Sequence, residues 1–283
     1  MWKCANVSCL TRGVFDFDGA ASPFVRKDFD KLPFINRILL IVDIRIVVFV
    51  QNFCYNTRMD INGFHALIKE NSDKFKLFAD LLKEHNKMYN LTSICDDEGI
   101  YFKHFLDSIV GEEYFSLNAK VAEIGSGGGF PSIPLKIVRD DLKFTLVEST
   151  GKKCNYLNTV VDKLGLKGVQ VVNMRAEDGA RDKTYREKFD VCCARAVARL
   201  NTLAEYCLPY VKVGGKFIAY KGDCDEEIAE AANAIKVLGG EIESVVRYEL
   251  ENCGKRTVII VKKVSATPVK YPRGQGKERK DPL

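Results

Sequence analysis

Four glycines fall within five positions at Gly125-Ser126-Gly127-Gly128-Gly129, directly after the short, mostly apolar run Val121-Ala122-Glu123-Ile124 and ahead of Phe130-Pro131. Glycine is required where φ is positive or where backbone passes close to a ligand, because a Cβ would clash there. A strand, a tight turn and then a helix are the elements such a segment can form. Glu148 stands 23 residues beyond Gly125 and closes the next apolar run, Lys143–Glu148. A carboxylate at that point can accept hydrogen bonds from two ribose hydroxyls. Together these features predict a nucleoside-binding βαβ unit. On these residues alone the ligand is either NAD or S-adenosylmethionine.

Strands and helices alternate through the rest of the chain. Strands are expected at 119–124, 143–148, 169–173, 189–195 and 215–221. Helices are expected from about 130, from Lys152 (with Cys154, Leu157, Val160, Val161 and Leu164 on one face), over Leu200–Tyr210 and over Glu226–Leu238. Gly239-Gly240 ends the last of these, as glycine commonly does. Two final strands, near Glu243–Leu250 and Arg256–Lys262, are joined by a turn around Asn252-Cys253-Gly254 too short for a helix. A mostly parallel, seven-stranded α/β sheet ending in an antiparallel hairpin follows. Ahead of it, Phe64, Leu67, Phe75, Phe78, Leu81 and Leu82 carry helical spacing, and a further helix is expected over Tyr101–Val110 with Lys103, His104 and Asp107.

Residues 1–58 have neither period and crowd aromatics, cysteines and β-branched residues. The change of character at Met59 suggests that translation begins there, with an N-terminal extension of independent fold as the alternative. The organisation expected is therefore 1–58 as an atypical extension, 59–112 as a helical cap, 113–264 as the catalytic core and 265–283 as a basic tail. The apolar stretch Phe34–Val50 contains Arg37, Asp43 and Arg45. Each costs roughly 2.5–3.5 kcal/mol near a bilayer centre, more than the apolar residues return, so a membrane span is not expected. It also lacks the pattern of a signal peptide.

Ten cysteines show no Cys-x-x-Cys spacing, and only His65, His85 and His104 could join them around zinc. Reduced thiols in a cytoplasm are expected, with Cys192-Cys193 on a buried strand. The net charge of +5 is mild, but Lys270–Leu283 holds five Lys/Arg against Glu278 and Asp281. That tail is either a solvated end or a phosphate-contacting one.

The terminal hairpin favours the methyltransferase version of this architecture. Phe130 also occupies the place where a dinucleotide fingerprint wants Gly or Ala for close packing, and no second domain follows for nicotinamide chemistry. Asn90-Leu-Thr-Ser-Ile94, His104-Phe-Leu-Asp107-Ser108, Glu123 through Leu135, Arg195-Ala-Val-Ala-Arg199-Leu200, Lys221-Gly222 and Lys270-Tyr-Pro-Arg273 occur in an order that resembles the glucose-inhibited division protein B family of small-subunit rRNA methyltransferases. The resemblance runs from Met59 to Leu283. It implies a Rossmann-like methyltransferase fold and transfer of a methyl group from S-adenosylmethionine to N7 of a guanine in 16S rRNA near the decoding centre. It also implies a cytoplasmic enzyme, a monomer with no membrane partner, acting on 16S rRNA or a small-subunit particle.

Carried over residue by residue, the resemblance assigns cofactor contacts to Gly125, Gly127, Phe130, Glu148, Ser149, Thr150, Ala176, Glu177 and Arg195. Here Glu-Ser-Thr stands where Asp-Ser is common in the family. Arg195, His104 and Lys221 are the candidates for catalysis, and Arg199, Lys221, Arg273, Lys277 and Lys280 for RNA contact. Arg195, Arg199, Tyr220 and Tyr271 could stack on an extruded base. Three alternatives differ in class: an NAD-dependent oxidoreductase, a methyltransferase with a non-RNA substrate, and a non-catalytic RNA-binding assembly factor.

Overall fold

Seven strands lie in the order β3-β2-β1-β4-β5-β7-β6. They are β1 (Lys120–Ile124), β2 (Lys143–Glu148), β3 (Val169–Asn173), β4 (Phe189–Arg195), β5 (Val211–Lys221), β6 (Gly240–Leu250) and β7 (Gly254–Lys263). β1 to β5 run parallel, while β7 enters antiparallel between β5 and β6. The strand order reverses between β1 and β4, which opens a crevice at the carboxyl ends of those strands. This computed structural model describes residues 61–251 and 253–283. The expectations for residues 1–60, including the apolar stretch Phe34–Val50 and a start at Met59, lie outside the described residues. Among those described, no helix is long and apolar enough to cross a membrane.

The helices are α1 (Ile61–Glu70), α2 (Ser72–Tyr89), α3 (Asp97–Gly99), α4 (Asp107–Ile109), α5 (Ser132–Val138), α6 (Gly151–Lys163), α7 (Ala176–Arg181), α8 (Leu200–Cys207), α9 (Asp225–Val237) and α10 (Lys277–Lys280). Between α3 and α4 the chain winds as a π-helix over Ile100–Leu106, which its helix-like apolar spacing does not reveal. Helix α2 buries Phe75, Phe78, Leu81 and Leu82 in the same cluster as Val121, Phe144 and Leu146 of the sheet and Tyr156 of α6. Each such side chain contributes about 1.5–3 kcal/mol by leaving water. The N-terminal helices are thus continuous with the core. They reach the glycine loop directly, since Phe78 packs on Phe130 with ring centroids 5.2 Å apart.

The C-terminal segment differs from the polar, solvated tail that its charge suggests. Lys263 is fully buried, and its Nζ donates to the Leu208 and Leu238 carbonyls at 2.8 and 3.2 Å, near the ends of α8 and α9. Burial pulls its pKa down to about 8, opposed by Glu187. Beyond it, Arg186 donates to the Thr267 and Tyr271 carbonyls, and Arg181 to that of Pro272 at 2.7 Å. Buried backbone acceptors need partners, and these arginines supply them, so the segment is strapped onto the end of α7 and the connection that follows it.

Candidate functional site

The turn after β1 takes the shape its glycines permit: φ is +71° at Gly125, +51° at Gly127 and +89° at Gly129. A Cβ on Gly125 would lie 2.8 Å from Val197 Cγ2, so the loop after β4 rests against the glycine turn. Gly127 donates its amide to Glu148 Oε2 at 3.0 Å, and Thr150 donates to Oε1 at 2.8 Å. An ionised carboxylate has about four acceptor positions. Glu148 therefore keeps capacity for two more donors while its orientation is fixed from both sides. Ser149 and Thr150 stand exposed on the same rim, and Ala176 and Glu177 open α7 next to it, where Tyr210 donates to the Ala176 carbonyl at 2.7 Å. These positions suit a nucleoside: a bare backbone turn at the switch point, a carboxylate with free lone pairs for vicinal hydroxyls, and a neighbouring helix start.

Across the crevice, Arg195 ends β4 and is held by four groups. Its Nη1 donates to Asp107 Oδ2 at 3.0 Å and to the Lys103 carbonyl at 3.1 Å; its Nη2 lies 3.1 Å from His104 Nδ1; and its Cζ sits 4.8 Å from the centroid of the Phe130 ring. Asp107 also accepts from the Tyr248 hydroxyl at 2.9 Å, and Arg256 lies 3.5 Å away. Cap helix, strand β4 and terminal hairpin thus meet at one carboxylate.

His104 lies in this network rather than facing a substrate. Arginine only donates, so His104 Nδ1 is the acceptor and its proton sits on Nε2, 2.8 Å from Thr92 Oγ1. Its ring stacks on Phe130 at 4.3 Å. Burial, then the charge of Arg195, lowers its pKa to about 3. The ring is neutral with both nitrogens engaged, an arrangement that suits holding Arg195 rather than exchanging a proton.

The other expected side chains divide. Lys221 donates to the Ala198 carbonyl at 2.7 Å and pairs with Glu227 at 2.6 Å, and Glu227 also accepts from the Leu200 amide. These contacts turn Lys221 onto the 196–199 loop. Arg273 is likewise withdrawn from the RNA set, because its fork grips the buried Glu205, with Nη2 to Oε2 at 2.8 Å. Tyr220 is 2% exposed and donates to the Ser108 carbonyl, while Tyr271 is 7% exposed, so neither can stack on an extruded base. Arg199 is exposed and paired with Glu230; Lys277 and Lys280 are exposed on α10.

The sequence reading assigned no role to Glu123, Thr92, Tyr248, Arg256 or Val197. Glu123 is fully buried beneath the glycine turn; its Oε1 accepts the Ser132 amide at 3.4 Å, whereas Oε2 has no hydrogen-bond partner. Burial raises its pKa to about 7, opposed by Ser132, Ser126 and Arg195. A carboxyl raised in the folded state binds its proton more tightly there than when unfolded. Its contribution is therefore complete below the ordinary value of 4.5 and is lost as pH rises to about 7, a loss of about 3 kcal/mol at 1.36 per unit. Glu123→Gln is expected to remove that slope and to be the more stable protein at pH 8. Urea denaturation at pH 5 and pH 8 checks this; a wild-type slope in the variant would refute it.

A family model described as GidB, rRNA small subunit methyltransferase G, matches residues 71–258. A ribosomal RNA small subunit methyltransferase G of Acetivibrio thermocellus is 48% identical over 225 residues, 78% of this chain and 93% of its own length. One of Clostridium perfringens is 43% identical over 238 residues, 83% and 97% respectively. Among solved structures, a SAM dependent methyltransferase of Aquifex aeolicus aligns over 65% of this chain and 98% of its own, with TM-score 0.46 and 19% identity. With the glycine turn, Glu148 and the 3-2-1-4-5-7-6 sheet in place, the chain belongs to the GidB family of rRNA small subunit methyltransferase G proteins.

Proposed function

We propose that this protein transfers a methyl group from S-adenosylmethionine to N7 of one guanine in 16S rRNA near the decoding centre, acting as a cytoplasmic monomer on rRNA or the small-subunit particle. The observation that carries the choice of atom is His104, neutral and engaged at both nitrogens. Guanine N7 has a free lone pair at neutral pH, so its methylation releases no proton from the base and requires no general base. The perturbed carboxyl beneath the loop, Glu123, is walled in at 0% exposure. A covalent route through Cys192 or Cys193 is equally unsupported, because burial raises both thiols well above their ordinary range and disfavours the thiolate.

S-adenosylmethionine supplies an electrophilic methyl group on a sulfonium when bound. The residues that would hold it are Gly125, Gly127, Glu148, Ser149, Thr150, Ala176 and Glu177, with Phe130 and Arg195 closing the other wall. Their work is orientation, which can contribute up to roughly 7–11 kcal/mol when reacting atoms are held in line. The base must leave its stack at a cost of a few kcal/mol, and the guanidinium of Arg195 is a fixed plane and charge for it to meet. Arg199, Lys277 and Lys280 would follow the phosphates.

Mapping 7-methylguanosine in 16S rRNA with and without this gene tests the proposal; an unchanged modification map would sink it. A second expectation concerns α10. Replacing Lys277, Arg279 and Lys280 by Ala should lower the salt slope of RNA binding by about one unit per lost phosphate contact, while cofactor affinity stays unchanged. Equal slopes would mean that these side chains face only water.

A further inference from the structure

At the opposite end of the sheet from the crevice, a groove of about 320 Å³ is lined by Lys120, Lys143, Phe144, Thr145, Gln170 and Phe189. Lys120 and Lys143 are register partners on the parallel strands β1 and β2, as are Thr145 and Gln170 on β2 and β3. Side chains of register partners leave the same face of a sheet, and adjacent strands are about 4.8 Å apart. Two ammonium groups are therefore side by side at the start of the groove. Like charges directly opposite one another on neighbouring strands are destabilising.

The protein does little to relieve this. Neither lysine forms an ion pair among the described residues. Nor do Thr145 or Gln170 make a side-chain hydrogen bond there. Asp190 accepts the Lys120 backbone amide at 2.7 Å, is paired with Lys212 and also feels the charge of Lys120. No acid lines the groove itself, which is left cationic. Gly168 stands beside the Lys143 stem, where a Cβ would meet Lys143 Cγ at 3.7 Å. The result is two ammoniums, a hydroxyl and an amide leaving one face of the sheet beside this groove, none of them hydrogen-bonded to another described side chain.

We propose that this groove is a second docking site for the phosphodiester backbone of the RNA substrate, distinct from the crevice. The inference rests on the proposed action on RNA and adds to it a contact at the amino ends of the strands. β1 spans five residues, so the two sites are separated by about 16 Å along the sheet at 3.3 Å per residue. A folded RNA or a ribosomal particle is large enough to touch both. Phosphate oxygens between Lys120 and Lys143 would turn a repulsive pair into a bridged one.

The test uses the full chain and the double variant Lys120→Gln, Lys143→Gln, both positions being exposed. Binding to small-subunit RNA is measured by filter retention across salt concentrations, separately from methyl transfer. Loss of two phosphate contacts should lower the salt slope by roughly 1.4–1.8. The melting temperature should hold or rise, and cofactor affinity and turnover at saturating RNA should be unchanged. An unaltered slope would overturn the proposal even if 16S rRNA is methylated normally. A reduced slope in a protein that leaves 16S rRNA unmodified would keep the docking site and reject the proposed reaction. Titration with inorganic phosphate alone supplies the last arm: saturation that vanishes in the variant, with no change in RNA slope, would identify a free-anion site and overturn RNA docking.

Discussion

Gly127→Val should leave the sheet folded and weaken S-adenosylmethionine binding by at least 100-fold in calorimetry. The position is not crowded, since a Cβ there would meet only the Gly125 carbonyl oxygen, at 3.7 Å. The damage comes from the backbone. Gly127 has φ +51°, where L-residues pay roughly 1–2 kcal/mol and a β-branched side chain fits worst. Relaxing that strain moves the amide that Glu148 accepts at 3.0 Å, and with it the carboxylate meant for the ribose. Gly127 itself is half-buried with no side chain packed where its Cβ would stand, so the turn can shift there without unfolding the core. Wild-type affinity in the variant would remove the glycine turn from the cofactor site.

Arg195→Lys should reduce methyl transfer by roughly 10²–10³-fold at saturating RNA, the range seen when a preorganised donor is lost from a reacting centre. Lysine keeps the charge that Asp107 requires, which matters because removing one partner of a buried pair costs about 3–5 kcal/mol in stability. It cannot, however, reach Asp107, the Lys103 carbonyl and His104 with one planar fork. His104→Asn supplies the contrast. It should lower turnover by a smaller factor without shifting a pH profile near 6.5, because a ring held near pKa 3 does not titrate there. Loss of an ionisation near neutrality in that variant would instead make the imidazole a proton carrier.

The strand–turn–helix around Gly125 was legible because its signal is local: the glycines that permit its positive φ values lie within the turn. The hairpin order was legible from the short 250–254 connection. What was not legible depends on distant partners. Asp107, Arg195, Tyr248 and Arg256 converge from three parts of the chain, and no spacing announces it. Arg273 read as a free cation because charge patterning does not distinguish a phosphate-facing arginine from one gripping a buried glutamate. Tyr220 is a different case. It shares a sheet face with Ile218, and β5 has no polar face along 217–220, so its burial could have been inferred from the strand itself. The π-wound stretch Ile100–Leu106 was invisible, since its apolar residues suit an α-helix equally well.

The place of β7 bears on the order in which the protein can become an enzyme. β6 pairs only with β7, and β7 alone connects it to β5, so β6 is an orphan as it leaves the ribosome and joins the sheet only when its successor slots in. A chain assembled through β5 already owns the glycine turn and Glu148. It lacks Tyr248 and Arg256, the two hairpin side chains that steady Asp107 behind Arg195. Under the proposed roles, the segments that would receive the nucleoside precede in the chain the hairpin side chains that complete the frame around Arg195.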